Sequence, residues 1–100
     1  MDERTDSEIW YDAQDEGIIL VPFQGNEGIL TAAIREEDLQ EACRRANLDP
    51  DNWDDIRSLG LGFFINVAAP GHGETRKESY LAALKSFEEL QPKAHWKVNE

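Results

Sequence analysis

Two apolar runs in the first half of the chain indicate a β-hairpin. The segments 17–23 (GIILVPF) and 28–34 (GILTAAI) are rich in the β-branched and large apolar residues that favour strands. They flank the connection QGNE, in which Gly25 and Asn26 tolerate positive φ. Pro22 lacks the backbone N–H that a strand ladder needs, so we expect the first strand to run along a sheet edge or to carry a bulge.

Helical spacing begins after the hairpin and predicts three helices. Between residues 36 and 46, apolar residues recur at i, i+3, i+4 and i+7, with acids in the first turn and arginines in the last, as the helix dipole favours. Asp49 is placed to cap a second helix with Pro50 as its first residue, and Gly60 is placed to end it. The third helix opens at Thr75, where the segment TRKE fits a capping box.

Three further segments are expected to be extended. LGFFINVAA (61–69) is apolar at nearly every position, which is typical of a strand covered on both faces. SEIWYD (7–12) is expected to form a short strand or an ordered arm. The tail 93–100 alternates apolar and polar residues, which is enough for a short last strand.

Together these elements predict an α+β fold. A small antiparallel sheet, made of the hairpin 17–34 and a strand near 61–69, packs with about three α-helices. A chain of 100 residues suits one compact domain, 1–100, because it can build one modest core but not two. Residues 1–7 are expected to be a flexible acidic N-terminus.

The charge of the chain is strongly negative and unevenly distributed. The formal net charge is −11, and residues 1–59 hold sixteen acidic and five basic residues, whereas residues 60–100 hold five of each. Nucleic acid and anionic membranes would repel such a protein at long range. We therefore expect a basic protein partner, including the basic groove of a nucleic-acid-binding complex, and no direct contact with nucleic acid or membrane.

Cysteine content and the N-terminus indicate a cytoplasmic protein. Cys43 is the one cysteine, so an internal disulfide is impossible, which is usual in a reducing compartment. The N-terminus MDERTDSE is acidic, and no apolar segment of a secretory signal follows it. The run 17–23 is too short to cross a bilayer.

The residues with reactive or metal-binding chemistry do not form a recognised catalytic set. Cys43 lies on the apolar stripe of a predicted helix, as a buried structural thiol does. The histidines are not in a ligand motif, and DPDNWDD lacks the glycine and glutamate of a calcium loop. We expect no enzyme activity, no cofactor and no metal. The alternative is the loop PGHGET, where His72, Thr75 and Arg76 could bind an anion or a small ligand.

Aromatic residues surrounded by acids are the candidates for partner binding. Trp10 and Trp53 both lie among acidic residues, as interface anchors ringed by charge do, and Trp53 is the centre of DPDNWDDI. Nearby acids are expected to share that surface, and Glu36, Glu37 and Asp38 join it if the first predicted helix lies on the same face. The predicted partner-binding residues are Asp12, Asp15, Glu16, Glu36, Glu37, Asp38, Asp51, Trp53, Asp54 and Asp55.

Three functions therefore remain open. The preferred one is a non-enzymatic protein that docks on a basic protein surface. In size and charge the chain resembles anti-CRISPR proteins, nucleic-acid mimics and nuclease immunity proteins; because this resemblance is one of composition, no residue is carried over from those families. The second is a small ligand-binding domain or enzyme using PGHGET. The third is an accessory subunit whose acidic surface maintains solubility.

Overall fold

The protein has an α+β architecture, as the sequence predicts. The structure, a computed structural model, describes residues 2–92, so the strand predicted in the tail lies outside the described residues. The described part is built from five helices and a three-stranded antiparallel sheet. The elements are α1 (Asp6–Asp15), β1 (Ile18–Gly25), β2 (Gly28–Arg35), α2 (Glu36–Ala46), α3 (Trp53–Ser58), α4 (Leu61–Val67), β3 (Ala69–Gly73) and α5 (Arg76–Leu90).

The sheet has the order β1-β2-β3, with the predicted hairpin forming two of its strands. Ile18 lies opposite Arg35 at one end of the hairpin, and Gly25 lies opposite Gly28 at the turn. β3 pairs with the other side of β2. β2 is therefore the central strand and is buried along most of its length, while β1 is an edge strand, as Pro22 predicts.

Helices cover both faces of the sheet because strand side chains alternate between them. Ile19 and Val21 point to one face, where they pack with residues of α2, α3 and α4. Leu20 and Ala33 point to the other face, where they pack with α1 and α5. The result is three layers, with the sheet between the two groups of helices.

The segment 7–12 is helical, so the prediction of a strand or arm there is wrong. Thr5 caps α1: its side chain accepts from the Glu8 amide at 3.2 Å, and the Glu8 carboxylate accepts from the Thr5 amide at 3.0 Å. This reciprocal pair is a capping box, and the buried Ile9 and Ala13 are four residues apart on the inner face of the helix. The flexibility predicted for residues 1–7 stays a prediction.

The third strand lies at Ala69–Gly73 and not at 61–69. An unbroken apolar run is compatible with a buried strand or a buried helix, and here it forms α4. Phe64 and Val67 face the core, whereas Ile65 is 62% exposed. β3 is instead the glycine-containing APGHG, most of which belongs to the segment PGHGET that the sequence indicates as a loop.

Polar side chains cap the two later helices that the sequence predicts. Asn52, not Asp49, caps α3, because its side chain accepts from the amides of Asp54 and Asp55. The cap of α5 is Thr75, as predicted, and its side chain accepts from the Glu78 amide at 3.1 Å.

Candidate protein-docking surface

The end of α1 and the start of α2 meet at the open end of the hairpin. The Glu36 amide donates to the Gly17 carbonyl at 2.8 Å, which extends the hairpin ladder by one bond. Gly17 adopts φ 80°, a left-handed conformation that favours glycine. This bond brings together four of the predicted partner-binding residues, which we call the acidic corner: Asp15, Glu16, Glu36 and Glu37.

A narrow cleft continues the acidic corner toward α3. Its volume is about 150 Å³, and Glu36, Asp51 and Trp53 all line it. Trp10 also lines it, with its ring centroid 5.9 Å from that of Trp53. Trp53 is 39% exposed, so part of its ring can contact a partner. Three elements that are distant in sequence therefore contribute to one surface.

Asp12 belongs to a different, partly neutralised groove between α1 and α5. Its carboxylate pairs with the Arg4 guanidinium at 2.8 Å. Arg4 also binds Asp2 and holds the pKa of that carboxyl well below its ordinary value. Lys85 lines the same groove as Asp12, Asp15 and Glu16. Glu88 lines this groove as well, so its two basic residues, Arg4 and Lys85, balance only part of the charge of four carboxylates.

Local structure explains the two aspartates that follow Trp53. Since α3 begins at Trp53, Asp54 and Asp55 lie in its first turn, where negative charge is favourable. The Asp55 carboxylate also accepts from the Asp49 amide at 2.8 Å, which ties the preceding loop to the helix. Asp54 remains exposed and available to a partner, whereas Asp55 already has a structural role.

Asp38 cannot contact a partner, so its assignment to the docking surface is wrong. It is fully buried on the inner side of α2. Its position in the first turn of that helix is favoured by the dipole. Asp38 lies four residues before the buried Ala42, so it shares the inner side of the helix.

Three arginines of the first sixty residues have partners outside the acidic corner. Arg35 donates to the Pro92 carbonyl at 3.0 Å and stacks over the Phe87 ring at 5.2 Å. Arg44 and Arg45 pair with Glu41, and they lower the pKa of that carboxyl. None of these pairs involves a residue of the acidic corner.

Packing explains the glycines of PGHGET. A Cβ at Gly71 would lie 2.0 Å from the backbone nitrogen of Ala83, and one at Gly73 would lie 2.6 Å from Ser79 N. Both glycines therefore allow α5 to lie directly on β3. His72 is exposed on the opposite face of the strand. The glycines do not require an anion to account for them.

The remaining chemical candidate, Cys43, has the environment of a structural thiol. It is buried in the core between α2 and the sheet. Burial, with smaller contributions from Asp55 and Asp49, raises the pKa of the thiol. Less thiolate is present at neutral pH as a result, which opposes nucleophilic chemistry.

A second cleft, which the sequence did not indicate, lies beside the edge of β1. It has a volume of about 390 Å³ and holds both tryptophans that sit among acids. Burial raises the pKa of Tyr80 in its wall, and the Arg76 charge opposes that rise. The sequence TDSE (5–8) fits a capping box and could have indicated this cleft. A helix over residues 6–15 brings Trp10 and Tyr11 beside the edge of β1. Its lining residues are Asp6, Ser7, Trp10, Tyr11, Pro22, Trp53, Arg57, Arg76 and Tyr80.

Comparisons with known proteins add no family to this description. Within residues 2–92, no cluster of His, Cys, Asp or Glu is arranged to hold a metal ion. In the same part of the chain, no helix has both the length and the apolar character that a bilayer crossing requires. No protein-family model matches the chain, and neither the curated proteins nor the solved structures give a match.

Proposed function

We propose that this protein binds a basic surface of another protein through the acidic corner and Trp53, without catalysing a reaction. The observation that carries the proposal is the hydrogen bond between the Glu36 amide and the Gly17 carbonyl, which joins two acidic helix ends. Long-range attraction would speed the encounter with a basic partner, and burial of the exposed part of Trp53 would prolong the complex.

The charge at the end of α1 works against local stability, which supports a role in recognition. Asp15 lies in the last turn of α1 and Glu16 is its C-cap, and that turn holds no basic residue. Each acid at the negative end of a helix dipole costs about 0.3–1 kcal/mol. A surface kept acidic only for solubility could place these charges at helix starts, where the dipole favours them. The adjacent Glu36 adds further repulsion.

The sharpest form of the proposal is an inhibitor that occupies a nucleic-acid groove. Such a groove has the positive charge that the acidic corner requires, and proteins of this size and charge include anti-CRISPR proteins and other nucleic-acid mimics. In this form the protein would compete with nucleic acid for the same surface. The broader form requires only a basic partner.

Charge reversal at the end of α1 tests the proposal. A partner captured from the native cell at low salt is identified by mass spectrometry, purified, and assayed for its association rate with each variant. Asp15→Lys/Glu16→Lys is expected to slow association by about tenfold or more, because steering depends on the local potential. The rate for the unaltered protein should fall steeply as salt screens the charges.

A matched variant controls for total charge. Glu27 and Glu74 are exposed, and Glu27 lies in the hairpin turn, roughly 23 Å along the strands from the acidic corner. Glu27→Lys/Glu74→Lys changes the net charge equally and should alter the rate by less than twofold. Equal slowing by both variants, or a rate that ignores salt, would refute the proposal. In the nucleic-acid-mimic form of the proposal, duplex DNA should compete with this protein for the partner. In the broader form, no such competition is required.

A further inference from the structure

The outer edge of β1 presents backbone groups that no strand of the described chain uses. In an antiparallel strand the N–H and C=O of one residue point to the same side, and successive residues alternate. The Gly17 carbonyl points to β2, where it accepts from Glu36, and the Leu20 carbonyl points outward, where it accepts from the Trp10 indole at 2.8 Å. Pro22 and Gln24 therefore also face outward. Pro22 presents a carbonyl, and Gln24 presents both an N–H and a carbonyl.

A groove runs along this edge, formed by two adjoining cavities of about 390 Å³ and 370 Å³. Both cavities are lined by Pro22, Arg57 and Arg76, so they meet at the middle of the strand edge. The first cavity, which we call the aromatic cleft, is lined by Trp10, Tyr11, Trp53 and Tyr80. Tyr11 is 62% exposed. The second extends past Phe23 and Gln24. We call the two together the edge groove.

The edge groove has a local positive charge, in contrast to the rest of the protein. Arg57 comes from α3 and Arg76 from α5, so the two guanidinium groups approach the strand edge from opposite faces of the sheet. Among residues 2–92, neither arginine forms an ion pair with a carboxylate. Asp6 lines the first cavity, so two arginines and one carboxylate leave the edge groove with a net charge of +1.

We propose that the edge groove binds an extended, acidic peptide segment of a partner protein. The segment adds a short strand to β1: its backbone donates to the Pro22 carbonyl and accepts from the Gln24 amide. A side chain at one end enters the aromatic cleft between Tyr11 and Trp53. Carboxylates at nearby positions pair with Arg57 and Arg76. This site shares Trp53 with the proposed docking surface, but its arginines select the opposite charge.

A peptide fits these features better than the other anionic or apolar occupants. A net charge of −11 repels a long polyanion such as nucleic acid, whereas one or two carboxylates can be matched by two arginines. The outward N–H and C=O groups of Gln24 recognise a peptide backbone, which nucleic acid lacks. A second copy of this chain would have to bring its own strongly acidic surface, which would add repulsion between the two molecules.

Selection from a displayed library of random hexapeptides tests the site. The expected result is enrichment of sequences with an aromatic or large apolar residue followed by Asp or Glu at alternate positions. A synthetic, capped version of the enriched peptide is then titrated by fluorescence anisotropy. Arg57→Gln and Arg76→Gln should each weaken its binding by about tenfold, while Lys85→Gln, which removes one exposed positive charge elsewhere, should change it by less than twofold.

Two altered versions of the enriched peptide test the role of its carboxylates and of its backbone. Replacing the acids of the enriched peptide with their amides should weaken binding by about tenfold, and N-methylation at alternate amides should abolish it at one set of positions only. The proposal is overturned if no acidic sequence is enriched, or if either arginine variant or all N-methyl peptides bind normally. Arginine-dependent dimerisation in light scattering, or arginine-dependent binding of an oligonucleotide, would also overturn it. Circular dichroism confirms that each variant is folded.

Discussion

At the scale of single residues, a buried hydroxyl pair connects α5 to the central strand. The hydroxyl oxygens of Thr31 and Ser79 lie 2.7 Å apart, and both residues are fully buried. Ser79 also donates to the Arg76 carbonyl at 2.9 Å. Because Ser79 has only one hydroxyl hydrogen, Thr31 must be the donor in the pair. The two side chains therefore have unequal roles, although they share one hydrogen bond.

This asymmetry predicts unequal effects on stability. Thr31→Val removes the donor and leaves only an acceptor lone pair of Ser79 unused, so we expect a loss of about 1 kcal/mol. Ser79→Ala leaves the Thr31 hydroxyl buried without an acceptor and should cost about 2 kcal/mol. The double variant should lose no more than Ser79→Ala alone. Urea unfolding measures all three values, and the reverse order of the single variants would contradict the assigned direction.

At the scale of elements, the contact of α5 with β3 depends on the absence of a side chain. Gly71 is buried in the sheet, and the backbone of α5 lies where its Cβ would be. Gly62, by contrast, lies exposed in α4, and a Cβ at this position would have no atom of another residue within 4 Å apart from its chain neighbours and the backbone of its own helix. The same substitution therefore meets two different environments.

We predict opposite outcomes for alanine at these two glycines. Gly71→Ala forces α5 away from β3 and should cost about 3 kcal/mol or more. Gly62→Ala should be neutral or should stabilise by up to about 1 kcal/mol, since alanine is the better helix former. Thermal unfolding followed by circular dichroism measures both. A similar loss in the two variants would show that close packing is not the reason for the glycine in β3.

The two helices of the acidic corner also predict opposite signs for one charge change. Glu16 caps the C-terminus of α1, and Glu37 lies in the first turn of α2. Glu16→Lys should stabilise by about 0.5 kcal/mol because a cation suits the negative end of a helix, and Glu37→Lys should destabilise by a similar amount. Chemical denaturation at low salt measures the difference. If both variants shift stability in the same direction, the helix dipole is not the main influence on these two charges.

At the scale of the whole molecule, the net charge opposes folding through self-repulsion. With a formal charge of −11 on 100 residues, bringing the carboxylates of α1 and α2 together has an electrostatic cost. Salt screens exposed charges with a Debye length of about 10 Å at 0.1 M. The stability of the protein should therefore depend on ionic strength.

We expect salt to stabilise the fold. Raising potassium chloride from 10 mM to 300 mM should increase Tm by about 4 °C, equivalent to roughly 1 kcal/mol. Asp15→Lys/Glu16→Lys, which makes the net charge less negative by four units, should show a smaller rise. A Tm that falls with salt, or an equal rise in the variant, would indicate that repulsion at the acidic corner contributes little.

Much of the fold could be predicted from the sequence because several elements have strong local signals. The hairpin follows from two apolar runs around a glycine-containing turn, and α5 follows from a threonine cap and regular apolar spacing. The predictions for two segments were wrong for the same reason. In 7–12 and 61–69, apolar and aromatic residues are compatible with both a strand and a helix, and only the capping box at Thr5 could have decided the first.

The candidate sites were predictable only in part, since charge in a sequence does not say which residues meet. The sequence placed Glu16 and Glu36 among the partner-binding residues, but their proximity depends on the hairpin bringing Gly17 beside Glu36. It also assigned Asp38 to the surface, although the helix turns that residue inward. The edge groove was not predicted at all, because Arg57 and Arg76 come from different helices.

The sequence by itself therefore determined the α+β class, the hairpin and the acidic character of residues 1–59, because each depends on local pattern or composition. The tertiary structure decided which apolar runs became helices, why Gly71 must lack a side chain, and which charges share a surface. The physical reason is that packing and backbone pairing join residues far apart in the chain, and no local pattern encodes those distances.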